Sequence, residues 1–63
     1  MNMEYTQPED IQKAARLAKW LIEEKGTKAK TAYIISQRKF HIPTYDVVRK
    51  QYHLIKREQM HLL

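Results

Sequence analysis

Three residues punctuate this chain, and little else in it breaks a backbone: Pro8, Gly26 and Pro43. Glycine admits the left-handed conformation that stops a helix, and proline withholds an N–H. The three therefore divide 63 residues into segments of helix length. No repeat, low-complexity run or linker separates the segments, so one domain is expected. A chain of this length buries only about 60% of the surface its unfolded form exposes. Without cysteine no disulfide reinforces it, which also fits a reducing compartment. Regular helix packing or a second subunit remains as the aid to stability.

The first segment opens on Thr6-Gln7-Pro8-Glu9. Thr6 is the candidate cap, Pro8 suits a first turn, and Glu9 stands three residues after the cap as in a capping box. Glu9 and Asp10 also suit the positive end of the helix dipole. Ile11, Ala14, Ala15, Ala18, Leu21 and Ile22 then recur at helical spacing, with Leu17 and Trp20 on the flank of the stripe. Lys25-Gly26 supplies a basic last turn and a left-handed stop. The pattern predicts a helix over roughly 7–25, with Trp20 in the core because the chain has little else that is large to bury.

The middle segment admits two readings. Thr27 is the candidate cap of a second helix running through Ala29, Ala32, Tyr33, Ile35 and Ser36 to Lys39. Residues 31–36 are also rich in strand-favouring types, so a short hairpin within 31–42 competes, which would make the fold α+β. Helix is preferred because an isolated two-stranded hairpin is marginal. After Pro43, a helix over roughly 44–60 gathers Val47, Val48, Tyr52, Leu54 and Ile55 on one arc. Asp46, Arg49, Lys50, His53, Lys56, Arg57 and Met60 take the other side. Gln51 and Glu58 interrupt the apolar arc, marking its rim or a point where the helix outruns the core. The expected fold is all-α, with three helices.

Charge is unevenly placed. Residues 1–24 hold three bases against five acids, a balance of −2, and residues 25–63 hold nine bases against two acids, a balance of +7. A basic C-terminal part of this kind favours a polyanionic partner. The N-terminus has neither a basic region nor an apolar stretch after it, and apolar runs such as Trp20-Leu21-Ile22 are short. These features predict neither a secretory signal nor a membrane span, and a soluble cytoplasmic protein.

Phe40-His41-Ile42-Pro43-Thr44-Tyr45-Asp46-Val47 sets an aromatic residue at the end of one helix and an aliphatic residue in the turn. A cap region follows, with a second aliphatic five places after the first. On these residues the span 32–52, about a third of the chain, resembles the helix-turn-helix of small DNA-binding domains. That family commonly carries a small residue where Gln37 stands and glycine in the turn where His41 stands. Lys50 replaces a usual core position, leaving Leu54 to take over one turn later. The resemblance implies a three-helix DNA-binding fold.

Independently of it, Arg49, Lys50, His53, Lys56 and Arg57 form a stripe about two turns long that suits phosphates. Thr44, Tyr45 and Arg49 stand where a recognition helix meets base edges, and Arg38 and Lys39 precede the turn as backbone contacts. Together they suggest a small transcriptional regulator. A solvated basic face is the plain alternative. A second functional class is a small protein-binding regulator, of a size common in phages and mobile elements, that docks on an acidic partner. It would use the same helix or the apolar rim of Tyr45, Tyr52 and Leu62. Structured RNA is a third possibility, because phosphate contacts do not separate it from DNA. Tyr33 and Tyr52 are expected in the core with their hydroxyls at its rim rather than as base-stacking platforms.

No cofactor or metal is expected. Glu58 and His61 give one pair at helical spacing where carboxylate-bridged sites need several. His53 and His61 lie about 12 Å apart along a helix, and His41 is in a turn. Catalysis is not expected either. The chain lacks a cysteine nucleophile and a glycine-rich loop, has only Ser36 as serine, and offers little room for a pocket of about 300 Å³. The ending Met60-His61-Leu62-Leu63 suggests a homodimer contact that would supply two-fold symmetry.

Overall fold

A computed structural model describes residues 7–61, and the side chains of residues 7–59 among them. Three helices follow one another: α1 (Pro8–Glu23), α2 (Ala29–Lys39) and α3 (Tyr45–His61). Each packs against the other two, and the described residues contain no strand. The all-α expectation holds, and the hairpin alternative for residues 31–42 does not.

α1 starts one residue later than a Thr6 cap requires. Gln7 takes the N-cap position with an extended backbone and no side-chain bond, and Pro8 opens the helix. Thr6 itself lies outside the described residues. Glu9 and Asp10 occupy the first turn as expected. At the other end Gly26 adopts φ +69°, and the Thr27 N–H donates to the Leu21 carbonyl at 2.9 Å. The last turn of α1 contains no base. The helix ends at Glu23, so Lys25 lies beyond it, with its ammonium 5.2 Å from the centroid of the Trp20 ring.

Lys28, not Thr27, is the N-cap of α2, again with no side-chain cap bond. The β-branched run at 31–36 is overridden because Ala32, Tyr33 and Ser36 share one helix face and bury it. The turn from Phe40 to Thr44 is closed by Ile42 N–H donating to the Gln37 carbonyl at 2.9 Å and by Gln37 Nε2 donating to the Ile42 carbonyl at 2.9 Å. His41 sits at φ 55°, the left-handed region that glycine populates without strain. Thr44 immediately precedes α3.

The core is built on small side chains. Ala14, Ala15, Ala18 and Ala32 are fully buried, which lets the helices approach closely, and Tyr33, Ile42, Val48 and Tyr52 fill the remainder. The Tyr33 and Tyr52 rings meet at 5.8 Å with a tilt of 56°. Ile11, Leu21, Ile22, Phe40, Tyr45, Val47 and Ile55 pack around this set. Ser36 is buried, and its hydroxyl has no hydrogen-bond partner among the described residues.

Two expectations about the core fail for the same reason. Trp20 is 48% exposed and Leu54 is 51% exposed. Each stands two residues beyond a buried one, Ala18 and Tyr52 respectively, which turns it about 200° around its helix. Leu54 therefore does not take over a core position from Lys50. Gln51 is half-buried, whereas residues 56–59 are all exposed, so the end of α3 runs past the core.

Candidate nucleic-acid interface

The packing of Val48, Tyr52 and Ile55 inward fixes which side of α3 faces solvent. Lys50, His53, Lys56 and Arg57 are all exposed there. Arg49 is half-buried and committed to Asp46: its Nε donates to Asp46 Oδ1 at 2.8 Å, and Nη2 contacts the same oxygen. Lys50 Nζ lies 3.5 Å from the other oxygen, Oδ2. The hydrogen bond from Arg49 holds the Asp46 carboxyl below its ordinary range, and the same contact raises the Arg49 pKa. One acid thus engages two of the stripe's bases.

The remaining candidates fall on either side of the turn. Arg38 and Lys39 are exposed on the last turn of α2, and Thr44 is exposed ahead of α3. Tyr45 is half-buried, with Lys30 Nζ 5.8 Å from its ring centroid. Of the three residues placed at base edges, Thr44 alone is exposed. Lys30 joins the basic side although the sequence reading assigned it no role. Its signal was the run 25–45, which has no acid and five bases. The apolar rim expected around Tyr45 and Tyr52 is largely covered, since Tyr52 is only 6% exposed; Leu62 lies outside the described residues.

Two open clefts flank α3 among the described residues. One, about 660 Å³, is floored by Ile22, Ala29, Tyr33 and Tyr52 and edged by His53, Lys56 and Arg57, with no acid among its lining residues. Lys56 Nζ sits 5.7 Å over the Tyr52 ring. Burial, reinforced by Tyr52, raises the Tyr33 phenol pKa. The other cleft, about 550 Å³, lies between α1 and α3 and mixes charges: Arg16 and Lys19 with Glu23, Glu24 and Glu58, around Trp20 and Ile55. Both exceed the 300 Å³ that sequence reasoning allowed, because grooves between helices need no thick shell around them. No group of three or more His, Asp or Glu residues that could hold a metal occurs among the described residues. None of the described helices is long and apolar enough to cross a membrane.

Comparisons with protein-family models, curated proteins and solved structures find no match to this chain.

Proposed function

We propose that this chain is a small, non-catalytic DNA-binding module that sets the exposed face of α3 against a duplex. One observation carries the reading. Lys50, His53, Lys56 and Arg57 share an exposed face of a helix whose opposite side is locked into the core. A rigid helix presenting several cations to solvent suits phosphates at fixed spacing, and each neutralised phosphate releases counterions. Two features add support. The turn before α3 places His41 in the left-handed conformation, where the helix-turn-helix family carries glycine. Arg38, Lys39 and Thr44 border that turn and extend the polar and basic surface. In this reading the protein regulates transcription by occupying a site.

Leu54 favours a second reading. It is half-exposed within one turn of Lys50 and Arg57, and an apolar anchor with a basic rim also fits an acidic protein. Anisotropy with a mixed-sequence duplex over a salt series separates the two. DNA binding requires affinity that falls steeply with salt and a slope that flattens in Lys50→Ala/Lys56→Ala/Arg57→Ala, while Leu54→Ala changes it little. Absence of binding at low salt, where non-specific contacts must appear, removes the DNA reading and leaves the acidic protein.

A further inference from the structure

We infer that the Trp20 face of α1 is a self-association surface, occupied by α1 of a second copy running antiparallel across a two-fold axis. The starting point is an imbalance. Trp20 is the chain's only tryptophan and is 48% exposed, while the largest fully buried side chain is Val48. Trp20 borders the groove between α1 and α3 with Ile55 beside it. A tryptophan held at the edge of a groove is the residue type that most often anchors an interface.

Charge identifies the occupant. Along the exposed side of α1 that carries Trp20, Glu9 opens the helix, the bases Lys13 and Arg16 follow, and the acids Glu23 and Glu24 lie beyond Trp20, whose ring Lys25 overhangs. Lys19, half-buried, is already paired with Glu23 at 3.0 Å. In an isologous interface whatever residue i meets, its equivalent meets in return. A parallel pairing of two such helices sets bases on bases and acids on acids. An antiparallel pairing sets Lys13 and Arg16 of each copy beside Glu23 and Glu24 of the other, and brings the two Trp20 side chains near the axis. DNA does not fit here, because Glu23, Glu24 and Glu58 line the groove and repel phosphate. The arrangement leaves the basic side of α3 uncovered and does not depend on what α3 binds. It also extends a core that four alanines keep thin.

One helix of 16 residues is about 24 Å long, so the contact is smaller than a standard interface and its dissociation constant is expected on the order of 10–100 µM. Sedimentation equilibrium of the full chain, from about 5 to 500 µM, is the test, and it is read without nucleic acid. A monomer–dimer equilibrium is expected. Trp20→Ala is expected to weaken it at least about 10-fold with the helical circular dichroism unchanged. Arg16→Glu and Glu24→Arg are each expected to weaken it, and Arg16→Glu/Glu24→Arg together to restore it to within about 3-fold of the parent by exchanging the charges across the axis. A chain that stays monomeric throughout overturns the inference. So does a dimer indifferent to both Trp20→Ala and Arg16→Glu, which would put the contact elsewhere on the molecule.

Discussion

The two clefts beside α3 share one helix and differ in almost everything else. On the α2 side, buried tyrosines form the floor and every charged lining residue is a base or histidine. On the α1 side, the aromatic residue is half-exposed at the rim, and both bases and acids line the groove. The difference follows from which side chains the alanine-rich core accepts. Tyr33 and Tyr52 belong to the buried core with Ala32 and Val48, while His53, Lys56 and Arg57 beside them are exposed. Trp20 lies on the side of α1 away from Ala14 and Ala18 and is 48% exposed. An aromatic ring here stabilises the molecule on one side of α3 and remains available to a partner on the other.

The sharpest way to break this comparison is to remove each ring in turn. Tyr52→Ala deletes a side chain 6% exposed that packs on Tyr33, and a loss of about 3 kcal/mol is expected. Against the few kcal/mol typical of so short a domain, that brings the protein close to unfolding. Trp20→Ala, measured in the same urea titration, is expected to cost less than about 1 kcal/mol. Equal losses would show that the groove tryptophan is core after all.

Charge gives the next largest contrast. Lys50→Ala/Lys56→Ala/Arg57→Ala is expected to flatten the slope of log affinity for duplex DNA against log salt by about 2 to 3, since each phosphate contact contributes roughly 0.9. Arg16→Ala/Lys19→Ala removes two bases from the α1 side and is expected to leave the slope nearly unchanged, because Glu23, Glu24 and Glu58 already keep phosphate away. Matching changes from the two variants would mean that net charge alone, not its placement, governs binding.

A backbone test concerns the corner that closes only one of the clefts with apolar residues. Gly26 turns the chain between Ile22 at the end of α1 and Ala29 at the start of α2, both of which floor the basic cleft. A Cβ at Gly26 meets no atom within 4 Å, so any cost of Gly26→Ala comes from φ +69° alone. About 1 kcal/mol is expected, read by thermal unfolding. A larger loss would indicate that the corner rearranges.

The helices were legible because their signals are local. Spacing alone placed Ile11, Ala14, Ala15, Ala18, Leu21 and Ile22 inward on α1, and the lone glycine marked its stop. Local signals also misled: Thr27 offered a cap, yet Lys28 takes the position with no side-chain bond, because packing of Ala32 and Tyr33 sets the start of α2. Size pointed Trp20 inward and a broad apolar arc pointed Leu54 inward, whereas the narrow alanine face of α1 and the Val48–Tyr52 face of α3 decide orientation. For the candidate site, the split in charge between the two ends of the chain was plain from composition. Its division between two sides of α3 was not, since Glu58 reaches the α1 groove only through the packing of α3 on α1. The engagement of Arg49 by Asp46 depends on side-chain geometry that a spacing of three permits without requiring.

Asp46 supplies the smallest and most discriminating test, since it is the one acid set among the stripe's bases on α3. Asp46→Asn releases Arg49 and Lys50 and removes a negative charge from the face offered to a polyanion. DNA affinity at low salt is expected to rise by a few fold, with the slope against log salt steeper by about 1. pH supplies the same perturbation without mutation. The folded-state pKa of Asp46 is lowered by the Arg49 hydrogen bond, so the contribution of the ion pair to stability is complete above the ordinary carboxylate value. It is lost as pH falls through the lower, folded-state pKa. Carbon-detected NMR of the carboxyl between about pH 6 and 2 is expected to place its midpoint below the unperturbed value of about 3.9. A midpoint at or above that value would mean that Arg49 is free in solution and belongs with Lys50, His53, Lys56 and Arg57. Asp46→Asn would then change affinity only through the lost charge.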